Sequence, residues 1–133
     1  MGIVSSSEKL YEQALLHYAE ALEIGPASAT VLANMSAIHL RLGDVEKAIV
    51  SLRKALLVDG SHIVAHHNLG IALRKKGEFE DSIDHLKRAI EGDPSNPNLY
   101  DSLGRSYREM GDEERAKQAF DMVEILKRKI TDD

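Results

Sequence analysis

The sequence contains no cysteine, no tryptophan and only three prolines among its 133 residues. Without cysteine there is no disulfide framework, no thiolate metal site and no cysteine nucleophile. Such a chain suits a reducing compartment, and a cytoplasmic location is the expectation. No run of about 18 apolar residues occurs, so no membrane insertion is expected. Residues 1–7 also lack the basic region and long apolar stretch of a signal peptide. Positive charge is not in excess: 17 Lys and Arg stand against 22 Asp and Glu, a net charge of −5. That is the wrong sign for general nucleic-acid affinity, which depends on cations displacing counterions. What the chain has in quantity is Ala, Leu, Glu and Lys, the composition of a helical protein.

The strongest positive signal is self-similarity at a fixed period. Gly43, Gly77 and Gly111 are each 34 residues apart, as are Ala14, Ala48, Ser82 and Ala116. Tyr18, Leu52, Leu86 and Phe120 form a third column at the same spacing, and Ala21, Ala55, Ala89 and Val123 a fourth. Each period reads as two helices. First helices are expected over Thr30–Leu42, Val64–Lys76 and Asn98–Met110. Second helices are expected over Glu8–Ile24, Val45–Val58, Phe79–Ile90 and Glu113–Ile130. Single glycines followed by Asp44, Glu78 or Asp112 separate them: glycine supplies the left-handed residue that ends one helix, and the acid favours the positive start of the next. Gly25-Pro26 and Asp93-Pro94 end second helices, because proline cannot continue a helix. Apolar residues such as Ala48, Leu52, Ala55 and Leu56 fall on one buried face.

This pattern resembles the tetratricopeptide repeat, a 34-residue hairpin with the motif W-x2-L-G-x2-Y, A-x3-F and P. The third unit reads His66-x2-Leu69-Gly70-x2-Leu73, then Ser82-x3-Leu86 and Pro94. The fourth reads Tyr100-x2-Leu103-Gly104-x2-Tyr107, then Ala116-x3-Phe120. The second is looser, and the first has only its second helix. The resemblance covers about residues 8–130. It implies an all-α, right-handed α-solenoid of antiparallel helical hairpins, with three full 34-residue repeats and one isolated N-terminal helix. The expected divisions are a lead at 1–7, the incomplete repeat at 8–28, repeats at 29–62, 63–96 and 97–130, and a tail at 131–133.

The two ends of the stack differ. Where earlier units carry Tyr11, Val45 and Phe79, the last has Glu113. Lys117 likewise replaces Leu15, Ile49 and Ile83, and Glu124 replaces Leu22, Leu56 and Ile90. A polar capping helix is therefore expected at 113–130. At the other end Tyr11, Leu15, Tyr18 and Leu22 would face no covering helix. Either the chain is a segment of a longer protein, or this face pairs with another copy as a homo-oligomer.

The resemblance also implies that the first helices line a concave groove where extended peptides bind. By repeat column, Asn34 and Arg41 come from the second unit. The third contributes His67, Asn68, Ile71, Arg74 and Lys75, and the fourth Asp101, Arg105 and Arg108. First helices carry six cations against Asp101 and Glu109, a balance suited to an acidic ligand. A plainer cause is that Lys and Arg gather at helix C-termini, where the dipole favours them. Asn34 and Asn68, one repeat apart, offer donor and acceptor together, as in the asparagine ladder of the O-linked N-acetylglucosamine transferase repeats. The lysine, asparagine and arginine set by which chaperone-binding members grip a C-terminal carboxylate is replaced here by Ala33, Ala37, Asn98 and Ser102.

No enzyme is expected, and no cofactor or metal. His62, His66 and His67 cluster, but His62 falls in a turn, His66 stands where the family packs an aromatic, and no carboxylate completes a ligand set. Asp84 and His85 are sequence neighbours and point to different sides of a helix. The expected function is a protein- or peptide-binding adaptor. Its alternatives are a self-assembly module pairing through the N-terminal helix, or a substrate-recruiting segment of a larger multidomain protein.

Overall fold

The computed structural model describes residues 6–24 and 28–131, and these form seven helices with no strand among them. The helices are α1 (Ser6–Ile24), α2 (Ala29–Arg41), α3 (Val45–Val58), α4 (Ile63–Lys76), α5 (Phe79–Gly92), α6 (Pro97–Met110) and α7 (Glu113–Thr131). Each hairpin (α2 with α3, α4 with α5, α6 with α7) packs against the next, giving the expected α-solenoid. The Gly25-Pro26 terminator lies outside the described residues.

The turn within each hairpin is the same object three times. Gly43, Gly77 and Gly111 have φ of +81°, +88° and +98°. The residue after each sends its N–H back five positions, to the carbonyls of His39, Leu73 and Tyr107 at 2.8–2.9 Å. That bond pattern closes a helix by a left-handed residue, which only glycine adopts without strain.

Every first helix begins one residue earlier than its apolar pattern implies, because a capping column precedes it. Ser28, His62 and Asn96 are spaced at 34, and each side chain accepts a backbone N–H from the first turn: Val31, Ala65 and Asn98 respectively. Pro97 then takes the first position of α6, where its missing N–H costs nothing.

The core runs along the stack where the columns meet. Ala48, Leu52, Ala55, Leu86 and Ala89 are fully buried. Two other glycines mark close approaches of a second helix to the first. A Cβ on Gly70 would lie 2.5 Å from Leu86 Cγ, and one on Gly104 would lie 2.7 Å from Phe120 Cε1. The large residue of the second helix therefore seats directly on the backbone of the first. Burying each leucine in this way contributes about 1.5–3 kcal/mol.

Packing between hairpins is one-sided. First helices touch across repeats, α2 on α4 and α4 on α6, whereas α1, α3, α5 and α7 keep their Cα atoms more than 8 Å from one another. A stack tighter along one edge curves with that edge inside. The inner face thus belongs to α2, α4 and α6, and shallow seams open between neighbouring second helices on the outer face.

The terminal helices finish differently. Glu113, Lys117 and Glu124 are exposed on α7, while Ala116, Ala119, Val123 and Leu126 are buried beneath. Among the described residues, α1 packs on α2 alone, and none of its residues 6–23 is fully buried.

Candidate functional site

The inner face is held by contacts that recur 35 residues apart, one more than the repeat. Asn68 donates its amide N–H to the Ala33 carbonyl at 3.4 Å and lies 3.5 Å from Ser36 Oγ. His67 Nε2 sits 2.9 Å from Ser102 Oγ. Arg74 pairs with Glu109 at 2.9 Å. Each contact ties a first helix to the first helix of the next repeat.

These contacts sort the residues expected in the groove. Asn34 is exposed and its side chain makes no hydrogen bond among the described residues. Asn68 is half-buried and spends its N–H on α2, leaving its carbonyl oxygen to accept. The column is therefore half a ladder and half a brace, and Ser102 completes the brace from α6. Ala33 and Ser102 are buried, so neither lines the surface. Ile71 is half-buried midway along α4.

The cations sort the same way. Arg74 is held by Glu109, and Arg105 by Asp101 at 3.0 Å. Lys76 pairs with Glu46 at 3.1 Å and Glu78 at 3.7 Å, and these acids raise its pKa above the ordinary lysine value. Arg108 lies over the Phe120 ring, 5.2 Å from its centroid, and so turns toward α7. Arg41 and Lys75 differ from these: both are exposed, they are one repeat apart, and neither forms an ion pair among the described residues. Arg41 instead reaches the Tyr11 hydroxyl at 3.5 Å and lies 6.0 Å from its ring centroid. A residue of the expected groove and a residue of the expected self-association face are thus brought together.

Burial lowers the pKa of His67, so the imidazole beside Ser102 is neutral near pH 7. The other clustered histidines have structural partners. His62 Nδ1 accepts the Ala65 N–H, which leaves Nε2 to donate to Thr30 Oγ1 at 3.3 Å. His66 Nε2 faces the Gly60 carbonyl at 2.8 Å, and its Nδ1 faces His85 Nδ1 at 3.0 Å with the rings stacked. A carbonyl only accepts, so neutral His66 carries its proton on Nε2 and His85 donates from Nδ1. Burial and the neighbouring His66, Arg88 and Arg53 lower the His85 pKa, partly opposed by Asp81. Among the described residues no group of three His, Cys, Asp or Glu is placed to hold a metal, and no helix is long and apolar enough to cross a membrane.

On α1, Tyr11, Leu15, Tyr18 and Leu22 are half-buried, and Leu22 packs against the core of the α2–α4 region. The more exposed apolar residues there are Leu10 and Leu16, each 65% exposed.

Comparison with known proteins agrees with this architecture. A family model described as tetratricopeptide repeat matches residues 28–95, and a second with the same description matches residues 85–118. Sperm-associated antigen 1 of Mus musculus is 32% identical over 65 residues, which is 49% of this chain and 7% of that protein. Small glutamine-rich tetratricopeptide repeat-containing protein 2 of Saccharomyces cerevisiae is 31% identical over 71 residues, 53% of this chain and 20% of that protein. The matched region is thus a small part of both relatives.

Among solved structures, MamA superposes with a TM-score of 0.82 at 24% identity, covering 96% of this chain and 77% of that one. YrrB, described as having an unusual peptide-binding site, gives 0.79 at 18% identity over 90% of this chain and 62% of that one. The second repeat domain of Spaghetti (RPAP3), solved with the HSP90 peptide SRMEEVD, gives 0.70 at 23% identity over 74% and 92%. At these identities the likeness is one of fold.

Proposed function

Because the chain belongs to the tetratricopeptide repeat family, we propose that it is a protein- or peptide-binding module whose ligand is an acidic segment lying along the inner face of α2, α4 and α6. One observation carries this reading. Arg41 and Lys75 occupy the same column one repeat apart, both are exposed, and both lack an acidic partner among the described residues. Exposed Asn34 and the spare oxygen of Asn68 lie on the same helices and suit a peptide backbone. Ile71, about one turn beyond Asn68 on α4, adds an apolar contact. Arg74 and Arg105 are already neutralised by Glu109 and Asp101, so their share in ligand contact is small. The similar Spaghetti domain holds an acidic peptide, which favours a ligand of this charge. Ala33 and Ser102 are buried, so the grip is not the carboxylate clamp of chaperone-binding members. We place this activity in the cytoplasm and assign the chain no catalytic step.

Fluorescence anisotropy with labelled SRMEEVD and its neutral analogue SRMQQVN tests the reading. The acidic peptide should bind at least about tenfold tighter, and Arg41→Glu with Lys75→Glu should remove that preference. Equal affinity for the two peptides, or an unchanged preference in the double variant, would overturn it.

A second reading rests on α1, which packs on α2 alone and exposes Leu10 and Leu16. Pairing of two copies through this helix predicts concentration-dependent sedimentation that Leu10→Glu with Leu16→Glu abolishes. A strictly monomeric chain at high micromolar concentration removes it.

A further inference from the structure

The outer face carries a feature that the repeat columns explain and the inner groove does not use. Between each pair of neighbouring second helices runs a seam floored by a first helix. In the seam between α3 and α5, His85 stacks on His66 with ring centroids 5.3 Å apart, and the hollow that remains there, beside Gly60 and His66, has the acid Glu91 in its lining. One repeat later the same two columns hold Ala119 and Tyr100. Alanine cannot reach across, so the seam between α5 and α7 stays open as a furrow of about 340 Å³. That is the low end of the roughly 300–1,000 Å³ typical of ligand sites, room for one or two side chains.

The chemistry of this furrow is particular to it. Its floor is apolar, from Leu103, Ala119 and Met122. Tyr100 and Tyr107 stand within it, and Tyr107 is 6% exposed overall; neither hydroxyl has a hydrogen-bond partner among the described residues. The rim carries Lys87 from α5 and Arg115 and Gln118 from α7. Lys87 forms no ion pair among the described residues. Among the described residues Arg115 pairs with Asp112 alone, at 3.6 Å, a long surface contact of a kind that contributes little. The other seams do not match. The one between α3 and α5 carries Asp81 and Asp84 in the columns of Arg115 and Gln118. The hollow beside α2 and α3 sets Glu46 against Lys47.

We infer that the α5–α7 furrow is a second binding site, taking an acidic peptide segment in which a carboxylate adjoins an aromatic or methionine side chain. Charge complementarity selects the occupant: two cations, two phenol donors and an amide surround an apolar floor, and no acid lines the furrow. The apolar side chain enters over Leu103 and Met122 between the tyrosine rings. The carboxylate meets Lys87 and Arg115 at the rim, with the tyrosine hydroxyls as further donors. The site lies across α6 from the inner face, so it is independent of the groove.

The test is a titration of the 15N-labelled chain with the acetylated peptide Ac-DEEMF, followed by NMR. The amides of Tyr100, Arg115 and Ala119 should shift with saturable dependence on peptide. Lys87→Glu with Arg115→Glu should weaken that response at least about tenfold. Both side chains are exposed, and glutamate suits the first turn of α7, so the variant keeps its fold. Ala119→His should set an imidazole against Tyr100, as His85 stands against His66, and so fill the furrow and suppress the same shifts. Arg41→Glu with Lys75→Glu should leave them within about twofold. Shifts confined to Asn34, Ile71 and Lys75, or furrow shifts that survive Lys87→Glu with Arg115→Glu, would overturn the proposal. A silent inner face alongside a responding furrow would instead count against the groove reading alone.

Discussion

The inner face and the α5–α7 furrow both present cations over an apolar patch, yet they differ in what those cations already hold. On the inner face two of the arginines are committed, Arg74 to Glu109 and Arg105 to Asp101, and the remaining positive charge is the spaced pair Arg41 and Lys75. In the furrow Lys87 and Arg115 converge from two helices on one small hollow. The first arrangement suits a ligand extended along several repeats, and the second suits one anchoring residue. Repeat columns repeat backbone geometry, so it is substitutions within a column, Glu109 for Lys75 or Ala119 for His85, that make one unit bind and its neighbour brace.

Three changes test this contrast. The largest effect should come from the core both surfaces share. Leu86 is fully buried and seats on Gly70, so Leu86→Ala should cost about 2–5 kcal/mol of stability. Chemical denaturation should show the loss, and peptide responses at both faces should weaken together. A groove that kept its full response in this variant would show that the two surfaces do not hang on one scaffold. A smaller effect should separate them. Glu109→Gln releases Arg74 to the inner face and should raise groove affinity for SRMEEVD about threefold by anisotropy, while furrow shifts with Ac-DEEMF stay unchanged. No gain in groove affinity would mean that Arg74 does not face the ligand.

The smallest concerns protons. Burial lowers the pKa of His39, His67 and His85 below the ordinary 6.5. The unfolded chain then takes up protons at higher pH than the folded one, so stability should be full above pH 7. It should decline as pH falls through about 6.5 toward the folded values. Melting temperatures between pH 7.5 and 5.5 check this, and His85→Ala should flatten part of the decline. A level profile would contradict it.

Much of the fold could be read from the sequence because its signals repeat. Gly43, Gly77 and Gly111 mark three turns that the structure builds with one hydrogen-bond pattern, and the alanine and leucine columns mark the core. The first helices start a residue earlier than the apolar pattern suggests, since the cap column Ser28, His62 and Asn96 is periodic but includes histidine, an uncommon cap. The site was less legible. Contacts between repeats fall at a spacing of 35, one off the repeat, so reading columns at 34 placed Arg74 and Glu109 in separate columns and hid their pairing. Charge counted by helix likewise does not show which cations are paired, although Asp101 lies one turn before Arg105 and holds it. The furrow was invisible for a volumetric reason: it depends on a small side chain at 119 where a repeat earlier a large one sits.

The most direct measurement is photocrosslinking of SRMEEVD from benzoylphenylalanine placed at Ile71, midway along the inner face. A covalent adduct with the acidic peptide is expected, lost in Arg41→Glu with Lys75→Glu and not competed by SRMQQVN. Peptide that binds by anisotropy but forms no adduct from position 71, or an adduct undiminished in the double variant, would contradict it.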